Sequence, residues 1–230
     1  VAITFVQSAK KIAATTDAAN FSGCNATGLF VVIIGGFDVA TLSDSSSNTW
    51  TAGTTFTDAG SGGFTKMYYV VNPTATSSHT FSFSGSFYSI VVFGFANVSA
   101  FDQATGANGD VDQPGSLTPG TDGTSLFVTG VGGNRTGQSI NSPFSGTVVQ
   151  NDYAAGVNYG SAGAYYIQSS AGAQNPTWSD SSGTSGCAMM TFTPAAGGAG
   201  DTQEWRGSYP PIRNNRQVNV MFRHAHYLAT

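Results

Sequence analysis

Apolar and polar positions in this chain either alternate with a period of two or run apolar without a break. Leu29–Ile34 is apolar on both parities, with Leu29, Val31 and Ile33 on one face and Phe30, Val32 and Ile34 on the other. Such a run belongs to a strand covered on both faces, at the centre of a sheet. Gly35 and Gly36 end it. Thr80–Ser84 alternates cleanly, Phe81 and Phe83 against Thr80, Ser82 and Ser84, and predicts a strand with one wet face. Further strands are predicted at Ala2–Val6 with a continuation over Lys10–Thr16, at Thr49–Thr51, at Phe64–Asn72 and at Ser89–Phe95. Ser43–Trp50 reads as a turn cluster, because short polar side chains bond their own backbone there. No helical period persists beyond one turn, so the class is all-β.

The pattern occurs twice. Gly28–Gly36 returns as Ser125–Gly133, with Leu29 and Leu126 97 positions apart. At the same offset Tyr68-Tyr69 falls on Tyr165-Tyr166, Thr80-Phe81-Ser82 on Thr177-Trp178-Ser179, and Phe95 on Phe192. Residues 28–96 and 125–193 therefore read as two copies of one unit. The second copy predicts strands at Leu126–Val131, Gly146–Asn151, Ala164–Ser169, Thr177–Ser179 and Cys187–Thr193. Residues 98–124, rich in Gly, Pro and Asp, read as mostly loop joining the copies. One sheet of about five strands would leave an apolar face wet, whereas two packed face to face bury both. The expectation is a two-sheet β-sandwich of jelly-roll type over residues 1–196, built from an internal duplication. Leu29–Ile34 and Leu126–Val131 should be its equivalent central strands. Tyr68, Val70, Phe81, Phe83, Val92, Val128, Tyr165, Ile167, Trp178 and Met189 are expected in its core.

The end of the chain differs in kind. Pro194–Gly200 reads as a linker, and residues 197–230 as an extended C-terminal arm. Tyr209-Pro-Pro211 holds the chain extended, since proline fixes φ and restricts its predecessor. Val218, Val220 and Phe222 then alternate with Asn219, Met221 and Arg223. A strand outside the repeat can pair with an exposed edge on a neighbouring subunit. Arg206, Arg213, Arg216 and Arg223 are half of the eight basic side chains and suit a mildly acidic partner. The expected contact residues are Arg213, Arg216, Val218, Val220, Phe222, Arg223, His224 and His226.

Composition narrows the chemistry. Charged residues are 9% of the 230, against 40% apolar and 12% aromatic, which is enough to bury a core. A net charge of -4 provides no basic field for nucleic acid. No stretch reaches the roughly 20 apolar residues that span a bilayer. The chain starts at Val1 with no leader-like region, so a signal peptide is expected to be gone or never to have existed. Cys24 and Cys187 allow one disulfide or two buried thiols.

A serine hydrolase needs a nucleophile on a tight turn within reach of a base; no such elbow is present, and His79 reads as a strand-end or loop residue. A glycosidase needs two carboxylates, and Glu204 is the single Glu. His224-Ala-His226 lacks further metal ligands downstream. Asn108, Asp110 and Asp112 offer oxygens that suit calcium, though such aspartates more often cap their own turns. No phosphate or dinucleotide motif is present. No cofactor, metal or catalytic residue is therefore expected. The rival to a purely structural role is glycan binding on Trp50 and Tyr153, with Trp178 assigned by default to the core.

Leu29-Phe-Val-Val, Ser43-Asp-Ser with Asn48-Thr-Trp-Thr51, Tyr68-Tyr69 and Thr191-Phe-Thr-Pro194 together resemble β-sandwich modules of bacteriophage structural proteins and secreted bacterial proteins. The likeness covers residues 25–195 and brings no catalytic residues with it. It implies a sandwich fold in an exterior, non-catalytic setting. The function expected is that of a structural or assembly protein at a virion surface or outside the cell, such as a capsid decoration or tail component. A subunit of a secreted bacterial fibre and a carbohydrate-binding or adhesin module are the alternatives.

Overall fold

The computed structural model describes residues 1–13, 17–22, 28–36, 41–57, 63–84, 88–109, 111–120, 123–133, 137–144, 152–154, 157–179 and 186–196. Among these there are fifteen strands and no α-helix, and all strand pairs are antiparallel. Val1–Gly198 forms one compact unit. The expected arm and the expected strand at Gly146–Asn151 lie outside the described residues.

The first half holds β1 (Thr4–Ala13), β2 (Asp17–Ser22), β3 (Leu29–Gly36), β4 (Thr41–Asp44), β5 (Thr51–Thr57), β6 (Phe64–Val71), β7 (Ser78–Ser84) and β8 (Tyr88–Ala96). They make a sheet ordered β1-β8-β3-β6-β5 and a smaller one ordered β2-β7-β4. The second half holds β9 (Val98–Ala107), β10 (Ser125–Gly133), β11 (Ser139–Ile140), β12 (Asp152–Ala154), β13 (Val157–Gln168), β14 (Trp178–Ser179) and β15 (Cys187–Pro194). Its large sheet runs β9-β15-β10-β13-β12, and β11 pairs with β14. The strand order is the same in both halves. β3 and β10 are the middle strands, as the apolar runs predict.

Two expectations are corrected. The described strands form four sheets, not two, because each half supplies a large sheet and a smaller outer one. Leu29–Ile34 is 0% exposed throughout, and burying both its faces takes a layer on each side. Phe30, Val32, Phe81, Phe83 and Val92 fill the space under the first outer sheet. Leu29, Val31, Ile33, Phe93, Leu126 and Val128 fill the seam between the large sheets, and Phe127, Phe144, Trp178 and Met189 pack beneath β11 and β14. Residues 98–107 are strand β9 rather than loop, and the halves meet at the single residue Asn97. An edge strand needs little apolar content, and Ser99, Ala100 and Ala104 are exposed. A bulge at Asp102 also breaks its alternation. Of the short strand expected at Thr49–Thr51, only Thr51 is in a strand, as the first residue of β5.

The seam has a twofold character. Leu29 pairs with Phe95 and Leu126 with Phe192, a shift of 97 positions on both strands. On the other side Val31 pairs with Tyr69 and Val128 with Tyr165, so β13 has slipped to a shift of 96. Tyr165 thus corresponds to Tyr69 and not to Tyr68. At the centre a Cβ on Gly132 would overlap Gly35 Cα, and one on Gly130 would lie 2.5 Å from Ile33 Cγ2. Side-chain hydroxyls flank this crossing. Ser89 Oγ donates to Ser161 Oγ at 2.8 Å, and Thr65 Oγ1 to the Gly186 carbonyl at 2.6 Å. Further out, Phe5 stacks on Tyr165 with centroids 4.8 Å apart, and Phe101 on Tyr69 at 4.9 Å. Phe95 and Phe192 each meet their stacked pair edge-on. Of the ten expected core residues, Tyr165 and Ile167 are half-buried and the other eight are buried.

The edges differ from the interior. β1, β5, β9 and β12 each carry a register shift against their neighbour. The interior pairs β3·β6, β3·β8, β10·β13 and β10·β15 carry none.

Candidate functional site

The densest polar cluster among the described residues lies under the first outer sheet. Asp44 ends β4, and the turn that follows bends back over its carboxylate, with Ser47 at φ 55°. Asp44 Oδ1 accepts from the Ser46 N–H at 2.9 Å and the Asn48 N–H at 3.1 Å. Oδ2 accepts from Asn48 Nδ2 at 3.0 Å and Trp50 Nε1 at 2.8 Å. Asn48 then ties the turn to the next loop, donating to the Thr74 carbonyl at 2.9 Å and accepting from the Thr74 N–H at 2.8 Å. The Asp-x-Ser-x-Asn-x-Trp spacing is a local signal for such a turn, since each partner sits two to six residues ahead.

His79 reaches the same cluster from β7. Ser46 Oγ lies 3.3 Å from His79 Nδ1. His79 Nε2 lies 3.8 Å from Asp44 Oδ2, with both side chains 0% exposed, and it has no hydrogen-bond partner. The imidazole packs against Phe30 and Phe81, with centroids 5.1 and 4.9 Å away. Burial pulls its pKa below the ordinary 6.5, and the Asp44 carboxylate offsets part of that. Far from being exposed, as expected of a strand-end or loop residue, His79 is core. The long-range meeting of Asp44 and His79 has no local sequence signal.

Ser46, His79 and Asp44 are the residue types of a nucleophilic triad. A relay needs the base hydrogen-bonded to both neighbours, and 3.8 Å is too long for that. Asp44 is already occupied by four N–H donors. The arrangement fastens β4 to β7 and holds a neutral imidazole in the core.

The remaining candidates separate. Trp50 is half-buried, its indole N–H bound to Asp44 and its ring 5.8 Å from Phe81. Tyr153 lies in β12, which is at the far edge of the other large sheet. Trp178 is fully buried and donates from Nε1 to Thr129 Oγ1 at 3.2 Å. Asn108 Oδ1 accepts from the Thr57 N–H at 2.9 Å, Asp112 is exposed on an open groove with Val111, Gln113 and Thr177, and Asp110 lies outside the described residues. Among the described residues no group of three or more His, Cys, Asp or Glu side chains converges. Cys187 is buried, and its thiol donates to the Val111 carbonyl at 2.8 Å; Cys24 lies outside the described residues. A cavity of about 40 Å³ between β5, β6, β9 and β15, lined by Met67, Met189 and Met190, is far smaller than the few hundred Å³ of a ligand site. Arg213, Arg216, Val218, Val220, Phe222, Arg223, His224 and His226 all lie outside the described residues. No protein-family model matches the chain, and no curated protein or solved structure shows significant similarity to it.

Proposed function

We propose that this chain is a non-catalytic structural protein, two jelly rolls fused by internal duplication, that serves as a building block of a larger assembly. A virion surface or tail component is the specific form of that reading. The recurrence of one strand order in both halves carries it. Strands 1-8-3-6 in one sheet and 2-7-4 in the other follow the jelly-roll path, with the fifth strand moved to the larger sheet. Jelly rolls are frequent in capsid shells and lectins. That is an analogy of fold, and the docking mechanism comes from the arm. Residues 1–196 hold ten aspartates against four basic residues, while 197–230 hold four arginines against two acids. An acidic body and a basic arm with a strand pattern suit docking of one subunit's arm on the next.

Light scattering and electron microscopy on the full chain and on a chain ending at Gly200 test the reading. Regular particles from the full chain, and folded monomers from the shortened one, are the expected result. Normal assembly without the arm would refute the docking. A full chain that stays monomeric and is retained on a glycan array would favour the carbohydrate-binding alternative.

A further inference from the structure

We infer that two copies of this chain exchange halves, the first half of each packing its large sheet onto the second half of the other. Among the described residues every strand pair lies within one half, so no described ladder crosses from residues 1–96 to residues 98–196. The halves are held together by the seam, by the bonds of Thr57 to Asn108 and Gly109, and by one connecting residue. Because each half keeps its own ladders, each seam contact made within one chain is equally available between two. Phe5 on Tyr165, Phe101 on Tyr69, and Ser89 to Ser161 re-form unchanged after exchange.

The joint favours opening. Asn97 turns the chain from β8 in one large sheet to β9 in the other, at φ 62°. That region is unfavourable for a residue with a side chain, though asparagine tolerates it better than most. Its carbonyl accepts from the Ala195 N–H at 2.8 Å and its Nδ2 donates to the Ala2 carbonyl at 2.8 Å. Extending the peptide at Asn97 releases that φ and gives up only these local bonds. Short strained hinges between complementary units are where exchange occurs at low cost. The partner is a second copy of this chain, independent of any role for the arm.

The test uses the full chain with Ser89→Cys and Ser161→Cys, the native thiols removed by Cys24→Ser and Cys187→Ala. The two new thiols face each other across the seam. After refolding at low and high concentration and mild oxidation, non-reducing gels should show the link within the chain at low concentration. A covalent dimer should rise several-fold at high concentration. Asn97→Val should raise that dimer and Asn97→Gly should lower it, since glycine accepts a positive φ. A link found only within the chain at every concentration overturns the exchange. If the cysteine chain fails to fold, light scattering on refolded chains carrying Asn, Val or Gly at 97 decides instead. A dimer fraction indifferent to concentration and to residue 97 would be equally fatal. Arm-mediated dimers would carry only internal links, so failure of either idea is told apart from failure of the other.

Discussion

The two outer layers share one strand pair with its corner bonds and have opposite fillings. In the first half the Ser45 N–H donates to the Thr80 carbonyl at 3.0 Å, and Ser45 Oγ accepts from the Thr80 N–H at 3.1 Å. In the second the Asn141 N–H donates to the Thr177 carbonyl at 3.1 Å, and Asn141 Oδ1 accepts from the Thr177 N–H at 2.8 Å. Asp44 pairs with Phe81 where Ile140 pairs with Trp178. Asn48 and His79 have buried Phe144 and Pro176 as their counterparts. A polar knot on one side therefore matches an apolar plug on the other. The ladder and its corner bonds set the frame, and what fills the frame can change wholesale while the buried main-chain, amide and indole N–H groups keep partners.

The seam is where the halves cannot differ so freely, and the largest effect is expected there. Gly132→Val drives two branches into Gly35 Cα and toward the Phe64 carbonyl, which a Cβ alone would approach to 3.1 Å. Backbone would have to move in both sheets, so a loss of more than about 3 kcal/mol is expected in urea unfolding. An unchanged midpoint would show that the sheets are not this close.

Next comes the knot. Asp44→Ala strips four N–H donors of their acceptor and should cost about 2–3 kcal/mol. Adding Asn48→Phe and His79→Pro to Asp44→Ile, which copies the second half's filling, should recover more than half of the loss seen for Asp44→Ile alone. No recovery would mean that the fillings are not interchangeable units.

The smallest effect is one of pH. His79 is held neutral in the fold with a depressed pKa, while the unfolded chain takes up its proton near 6.5. Protonation therefore favours the unfolded state as pH falls from about 6.5 toward the depressed value, and stability is lost in that window. The second half has no histidine at the matching place, so the loss should vanish in His79→Gln. Melting curves between pH 7.5 and 5 that superimpose for the two chains would remove His79 as its source.

Strand identity was legible wherever one residue type dominated a face. Leu29–Ile34 announced a middle strand, and Phe81 with Phe83 announced an inward face. β9 was not legible, because an edge strand with a bulge at Asp102 keeps neither apolar content nor alternation. At an offset of 97 positions the letters match Tyr68-Tyr69 to Tyr165-Tyr166, yet the ladders give Tyr165 the pairing position of Tyr69. A one-residue slip between β6 and β13 exchanges the two sides of a strand, and identity of letters cannot report register. Local spacing revealed the turn at Ser43–Trp50, whereas the arrival of His79 from β7 depends on how sheets stack.

The shifted registers on β1, β5, β9 and β12 carry a further consequence. A straight, flat outer strand presents a row of unpaired amides and carbonyls, on which a stray chain can extend the sheet into an aggregate. Here all four borders of the two large sheets are kinked while their interiors stay regular. Those bends disfavour fibril-like growth from the edges of the two large sheets. A segment that pairs with either large sheet must follow the kinked register of its edge, so side chains as well as backbone decide what can be added there.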